Sequence, residues 1–208
     1  MFKLTSCFKS SSPDYDTSIH LFDHDVKPVL MYGSEIWGTE RISSSKSLYN
    51  LQLNDILEKC HSHFLHYSLG VNKKAPKLAV YSETGRYPLL MESIVNAIKY
   101  LHRLQNLSEQ DNPILRKAFA ECQKLKSTKS WFNNLKSLLQ KAGIPLSLVA
   151  RLNIRLVIQK LKYFLKDEFL AGWKNDLFCD NRGRDHGNKL RTYRLFKNSF
   201  AKEDYLTE

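Results

Sequence analysis

The sequence predicts an all-α protein, and three observations carry that reading. No segment alternates apolar and polar residues with period two, so no half-buried strand is expected. Apolar residues recur three and four apart through most of the chain instead. Between these stretches, Pro, Asn and Ser stand where helices open and Gly stands where they close.

Taken in order, residues 1–16 are Ser-rich with Pro13 and read as a loop. From 17 to 37, Ile19, Phe22, Val26, Val29 or Leu30, and Ile36 keep helical spacing. Pro28 predicts a kink there, because its ring displaces one intrahelical bond. Residues 43–47 form a polar linker. Leu48, Leu51, Ile56, Cys60, Phe64 and Tyr67 then mark a second helix, stopped by Gly70. Pro76 opens a short helix, 77–82, and Pro88 a longer one to about residue 107. Asn112-Pro113 repeats the signal for a helix ending near 126. Ser130 caps a helix over 131–141, closed by Gly143. Pro145 begins the longest helix, through 177, with Gly172 as a candidate interruption. A loop at 181–187 precedes a final amphipathic helix over 188–205.

Charge is unevenly placed. Residues 1–110 carry 12 Lys/Arg against 11 Asp/Glu, whereas residues 111–208 carry 20 against 10. Between Arg116 and Lys166 stand twelve basic residues and one acid, Glu121. Such a block is the footprint expected of a polyanion-binding surface, and equally of a solvated basic face. No apolar run approaches the roughly 18 residues that span a bilayer, so no membrane association is expected. The first fifteen residues contain no apolar signal core, which points to an intracellular protein, nuclear or cytoplasmic. Cys7, Cys60, Cys122 and Cys179 are each more than fifty residues from the next, forming neither a disulfide framework nor a CxxC pair.

The longest helix gathers much of the charge. At 100° per residue, Arg151, Arg155, Gln159, Lys162 and Lys166 fall within a sector of about 80°. Val149, Leu152, Ile154, Leu156, Val157, Leu161 and Phe164 lie around most of the rest. The pattern predicts a helix buried on a broad front with a narrow basic edge. That edge is either the solvated margin of a buried helix or a row of phosphate contacts.

No complete active site is present. Asp23-His24-Asp25 has two carboxylates, but on a helix they point about 200° apart and lack a third partner. Asp167-Glu168 and Glu203-Asp204 read as solvated ion-pair partners of nearby lysines. Cys60, His61, His63 and His66 are the densest metal-type set. Only His63 and His66 share a helical face, and the histidines read as surface or boundary residues. No nucleophile elbow, Walker loop or dinucleotide fingerprint occurs, so neither cofactor nor metal is expected.

Residues 21–38, LFDHDVKPVLMYGSEIWG, resemble the helix that follows the reverse-transcriptase palm in LINE-type, jockey-like non-LTR retrotransposon polyproteins, LFDxxVxPxLxYGSExWG. Leu57, Glu58 and Phe64 through Gly70-Val71 resemble that family's LE…F…LGV block. Residues 79–89, AVYSETGRYPL, resemble AVYxExGRxPL. Trp173, then Lys189-Leu190-Arg191-Thr192-Tyr193, Lys197 and residues 200–206 resemble W…KLRxYxxxKxxFxxExYL. The similarity extends over about residues 20–206.

The resemblance implies a thumb-like helical region in 1–108, shortened at its N-terminus, and a basic helical region in 109–208. It implies a C-terminal fragment of an RNA-directed DNA polymerase that is not itself an enzyme. The family's aromatic-Ala-Asp-Asp turn does not occur, and Cys179 with His186 does not complete a CCHC knuckle. The implied partners are RNA or an RNA–DNA hybrid, with the palm and fingers of the parent polyprotein. Arg151, Arg155, Lys162, Lys166, Lys189, Arg191, Arg194 and Lys197 are the implied phosphate contacts. Tyr32, Gly33, Ser34, Glu35, Trp37, Glu83, Gly85, Arg86 and Pro88 carry the motifs and read as structural. Gly33 is expected to permit close helix packing and Glu35 to satisfy a buried polar partner. Tyr32, Trp37 and Tyr81 read as buried anchors, with base stacking the alternative. The rival readings are a relic open reading frame without activity, one piece of an intact polymerase, and a derived protein-interaction module.

Overall fold

The computed structural model describes residues 14–39, 49, 55–108, 110, 112–125, 127, 130–151, 153–178 and 190–206, without the Arg151 side chain. The expected linker at 43–47, the loop at 181–187, Leu48, Leu51, Leu152, Cys7, Cys179, His186 and Lys189 lie outside the described residues. The fold is all-α; among the described residues the one strand-like feature is an isolated antiparallel bridge between Thr84 and Lys202. In chain order the helices are α1 (Tyr15–Leu21), α2 (Lys27–Leu30), α3 (Ser34–Trp37), α4 (Ile56–Ser68) and α5 (Lys77–Thr84). They continue with α6 (Leu89–Gln105), α7 (Pro113–Lys124), α8 (Trp131–Lys141), α9 (Leu146–Arg151), α10 (Ile154–Phe178) and α11 (Tyr193–Phe196). No helix among the described residues is long and apolar enough to cross a membrane.

Several boundaries follow from local chemistry. Asn112 accepts the Leu115 N–H at 3.0 Å to open α7, and Ser130 accepts that of Asn133 at 3.2 Å to open α8. The stretch from 17 to 37 is not one kinked helix. Pro28 has no N–H for the His24 carbonyl, and the chain widens ahead of it into a π-turn, Phe22–Val26, where the Lys27 N–H reaches back to Phe22. A second break falls at Gly33, whose φ of +68° is left-handed.

The helix expected from Pro145 to residue 177 is two helices. Asn153 Oδ1 accepts the Arg155 N–H at 3.0 Å, starting α10 afresh after α9. Gly172 does not interrupt α10. A Cβ there would lie 2.3 Å from Cγ of Tyr49, so glycine admits that ring against the helix. The final helix expected over 188–205 is replaced by the four-residue α11, an irregular stretch and a 3-10 turn, Asp204–Leu206. The chain leaves α11 at Lys197 in an extended conformation, and the Lys197 side chain is buried there.

Two compact units result, one from residues 1–32, 60–86 and 189–208 and the other from 33–59 and 87–188. Each draws on both sides of residue 108, so neither coincides with 1–108 or 109–208. In the first unit, Phe22 stacks on Phe64 (centroids 4.3 Å apart) and on His61 (5.4 Å), and Tyr81 meets His61 edge-on. These, with Leu65 and Val80, form its core. The residues from Leu190 to Leu206 are clasped to α5. Tyr193 and Tyr205 donate to the two oxygens of Glu83, each at 2.5 Å, and the Glu203 N–H donates to the Glu83 carbonyl. Burial first, and the bond to the Glu83 carboxylate second, push both phenols well above their ordinary pKa, so they remain donors.

The second unit is built around α6, whose Leu90, Ile94, Ala97, Ile98 and Leu101 are fully buried. Pro88 precedes α6 and offers no side-chain acceptor. The buried carboxylate of Glu58 supplies one, taking the Leu90 N–H at 3.0 Å and setting a negative group at the helix N-terminus. His102 Nδ1 donates to the Val149 carbonyl (2.6 Å), tying α6 to α9.

Candidate nucleic-acid interface

α10 sets the geometry. Its buried residues are Val157, Leu161, Leu165, Phe169, Trp173 and Leu177, one in every four. A row with that spacing drifts about 40° per step around the helix, so successive levels are covered from different directions. The expectation of burial on a broad front is therefore corrected in part: packing buries one winding row and half-buries Ile154, Ile158, Phe164 and Leu170 beside it, but leaves Leu156 (58%) and Tyr163 (76%) exposed. Arg155, Lys160, Lys162, Lys166 and Lys174 are exposed on the same helix, as are Asp167 and Glu168.

Two of these cations are held by the fold. Lys160 Nζ donates to the Gly143 carbonyl at 2.9 Å, and Lys166 Nζ lies 4.8 Å from the centre of the Tyr87 ring. Tyr87 itself meets Phe169 edge-on at 5.7 Å, so the Lys166 tether is anchored in the core. Lys160 and Lys174 lie about 120° and 80° around the helix from Lys166, outside the basic edge that the sequence pattern delimits.

The eight cations expected to contact phosphate divide as follows. Arg155, Lys162 and Lys166 share α10 in the second unit; Arg151 ends α9, and its side chain is outside the described residues, as is Lys189. Arg191, Arg194 and Lys197 belong to the first unit, where Arg191 is exposed and Arg194 half-buried. Lys197 is a correction. It is 3% exposed, pairs with Glu203 and donates to the Ala201 carbonyl at 2.9 Å, so its charge is neutralised within the fold and not presented to a ligand.

The motif residues are structural in ways only partly foreseen. Gly33 supplies a left-handed turn; the close approach falls to Gly38, where a Cβ would sit 2.9 Å from that of Ser93. Ser34, fully buried, accepts from Asn96 Nδ2 at 3.0 Å. Glu35 is half-buried and contributes its backbone carbonyl, which takes the Trp131 indole N–H at 2.8 Å. Tyr81 is wholly buried and Trp37 half-buried, but Tyr32 is 87% exposed and is no buried anchor. Arg86 grips Asp23 with both guanidinium nitrogens, at 2.9 and 2.5 Å. Burial alone would raise the Asp23 carboxyl; the bonds and charge of Arg86, with Lys27, outweigh it and hold it below its ordinary range.

The histidines separate. His61 is enclosed by Phe22 and Tyr81, and His66 lies between the Ser62 and Ala75 carbonyls at 2.6 and 3.0 Å, leaving only His63 exposed. Buried positions for His61 and His66 correct the expectation of surface or boundary sites. What the arrangement offers is a cationic helix face with an aromatic ring in it. No protein family, curated protein or solved structure matches the chain.

Proposed function

We propose that this chain is the thumb and post-thumb region of a LINE-type reverse transcriptase, and that it grips RNA or an RNA–DNA template-primer through the phosphate backbone. In this reading the chain contributes grip and leaves the chemistry to a palm. The supporting observation is the exposed face of α10, where Arg155, Lys162 and Lys166 are exposed alongside the buried row. Cations placed there stabilise a polyanion without disturbing the core. The test is binding of the full chain to an RNA–DNA hybrid across a salt series, with the triple reversal R155E/K162E/K166E. Losing three contacts should weaken binding and flatten the slope of log K against log salt by about 2–3. An unchanged affinity and slope would exclude this face.

A protein-interaction role is favoured by a different observation. Leu195 and Phe196, adjacent in α11, are 71% and 81% exposed. A complex that survives high salt and is lost in F196A would support that reading.

A further inference from the structure

We infer that Tyr163 is a base-stacking residue and that the cationic face of α10 takes single-stranded RNA in preference to duplex. This rests on the nucleic-acid reading above and narrows its ligand.

Tyr163 stands mid-helix and is 76% exposed, and it has no hydrogen-bond, ring or cation partner among the described residues. An exposed aromatic is useful where its face can be covered by another flat surface. Three residues away on either side are Lys160 and Lys166, at about 60° to left and right around the helix axis, with Gln159 and Asp167 four residues away at about 40°. Both lysines are tethered by the fold, on the Gly143 carbonyl and on the Tyr87 ring. Neither therefore folds across the phenol. Each ammonium has three donors, so hydrogen-bonding capacity remains for a phosphate. Leu156, exposed seven residues earlier on nearly the same face, continues the apolar strip about 10 Å along the helix.

A ring flanked by fixed cations matches a strand whose bases are free, since backbone phosphates meet the lysines while an unstacked base covers the phenol. A duplex presents its phosphates outward and keeps its bases stacked on one another, leaving the ring nothing to cover. Charge favours nucleic acid over an apolar protein partner here, because α10 exposes five cations against two acids, Asp167 and Glu168.

The experiment measures fluorescence anisotropy of the full chain with a labelled oligouridine of about 20 nucleotides and with an RNA hairpin of similar charge. Wild type, Tyr163→Ala and Tyr163→Phe are compared. Because Tyr163 is 76% exposed, both variants should retain wild-type helical circular dichroism. Tyr163→Ala should weaken oligouridine binding about 5- to 100-fold, leaving hairpin affinity and the salt slope unchanged. Tyr163→Phe should stay within about twofold of wild type, since stacking needs the ring and not the hydroxyl. Equal weakening of both RNAs, or none, overturns the inference while leaving the phosphate-grip proposal standing. Failure of the wild type to bind either RNA overturns both.

Discussion

Replacing Gly172 by Ala puts two effects of opposite sign in direct competition. On propensity alone, Ala stabilises a helix interior over Gly by about 1 kcal/mol. The new methyl would sit 2.3 Å from Tyr49 Cγ and 2.7 Å from both Cδ atoms, where carbon contacts want about 3.5–4.0 Å. The ring must retreat by more than about 1 Å, yet it is 5% exposed and braced 5.5 Å from the centre of Phe169. Overpacking of this kind costs about 1–3 kcal/mol, and partial loss of ring burial adds about 1. The clash should win, leaving G172A about 1–3 kcal/mol less stable than wild type. In a Tyr49→Ala background the obstacle is gone, and the same substitution should stabilise by about 1 kcal/mol. Urea unfolding of the four proteins closes the cycle, with an expected coupling of about 2–4 kcal/mol. If G172A stabilises in both backgrounds, or the coupling falls below about 0.5 kcal/mol, ring packing is not why position 172 is glycine.

Asp23→Asn should cost about 1 kcal/mol at pH 7, a value kept small because the pair is partly exposed. The folded carboxyl is held low, so the pair's contribution is complete above the unfolded value near pH 4 and is lost as pH falls through the folded value. Urea midpoints of wild type and variant should therefore draw together as the pH falls from about 4 through the folded value; a gap that does not narrow on acidification would contradict the role given to Arg86. Gly85→Ala should cost about 2 kcal/mol or more, combining left-handed strain at φ +63° with a methyl 2.5 Å from the Lys202 nitrogen. It should also speed tryptic cleavage after Lys197, which is buried in the intact clasp; unchanged cleavage would show that the C-terminal segment does not depend on this contact.

The elements legible in the sequence were those whose signals are local. Ser130 and Asn112 cap helices by bonds to residues three ahead, so their positions could be read directly. The break at Asn153 was hidden because apolar residues keep helical spacing across it. The burial of α10 was misread for a geometric reason. Projecting a long helix onto one circle assumes a single neighbour, whereas its every-fourth-residue row is covered level by level. Lys197 was counted with its basic neighbours because nothing local tells that the chain reverses and brings Glu203 to it. Glu83 joins phenols 110 and 122 residues away, a contact no periodicity reports. Of the candidate interface, the sequence carried the charge of α10, but the exposure of Tyr163 depends on which row the neighbours happen to cover.

The interleaving of the two units has a consequence for synthesis on the ribosome. The second unit is encoded within residues 33–188, and every segment it needs has been made once residue 188 is polymerised. The first unit already has residues 1–32 and 60–86 by then but lacks its last segment. Roughly a hundred residues separate Arg86 from Leu190, about 5–20 s of elongation at typical rates. During that interval Glu83 has neither of its phenols, and the partners of α5 from residues 190–206 do not yet exist. Vectorial folding thus lets the second unit complete before the first, making 190–206 the last of the segments of these two units to find its place.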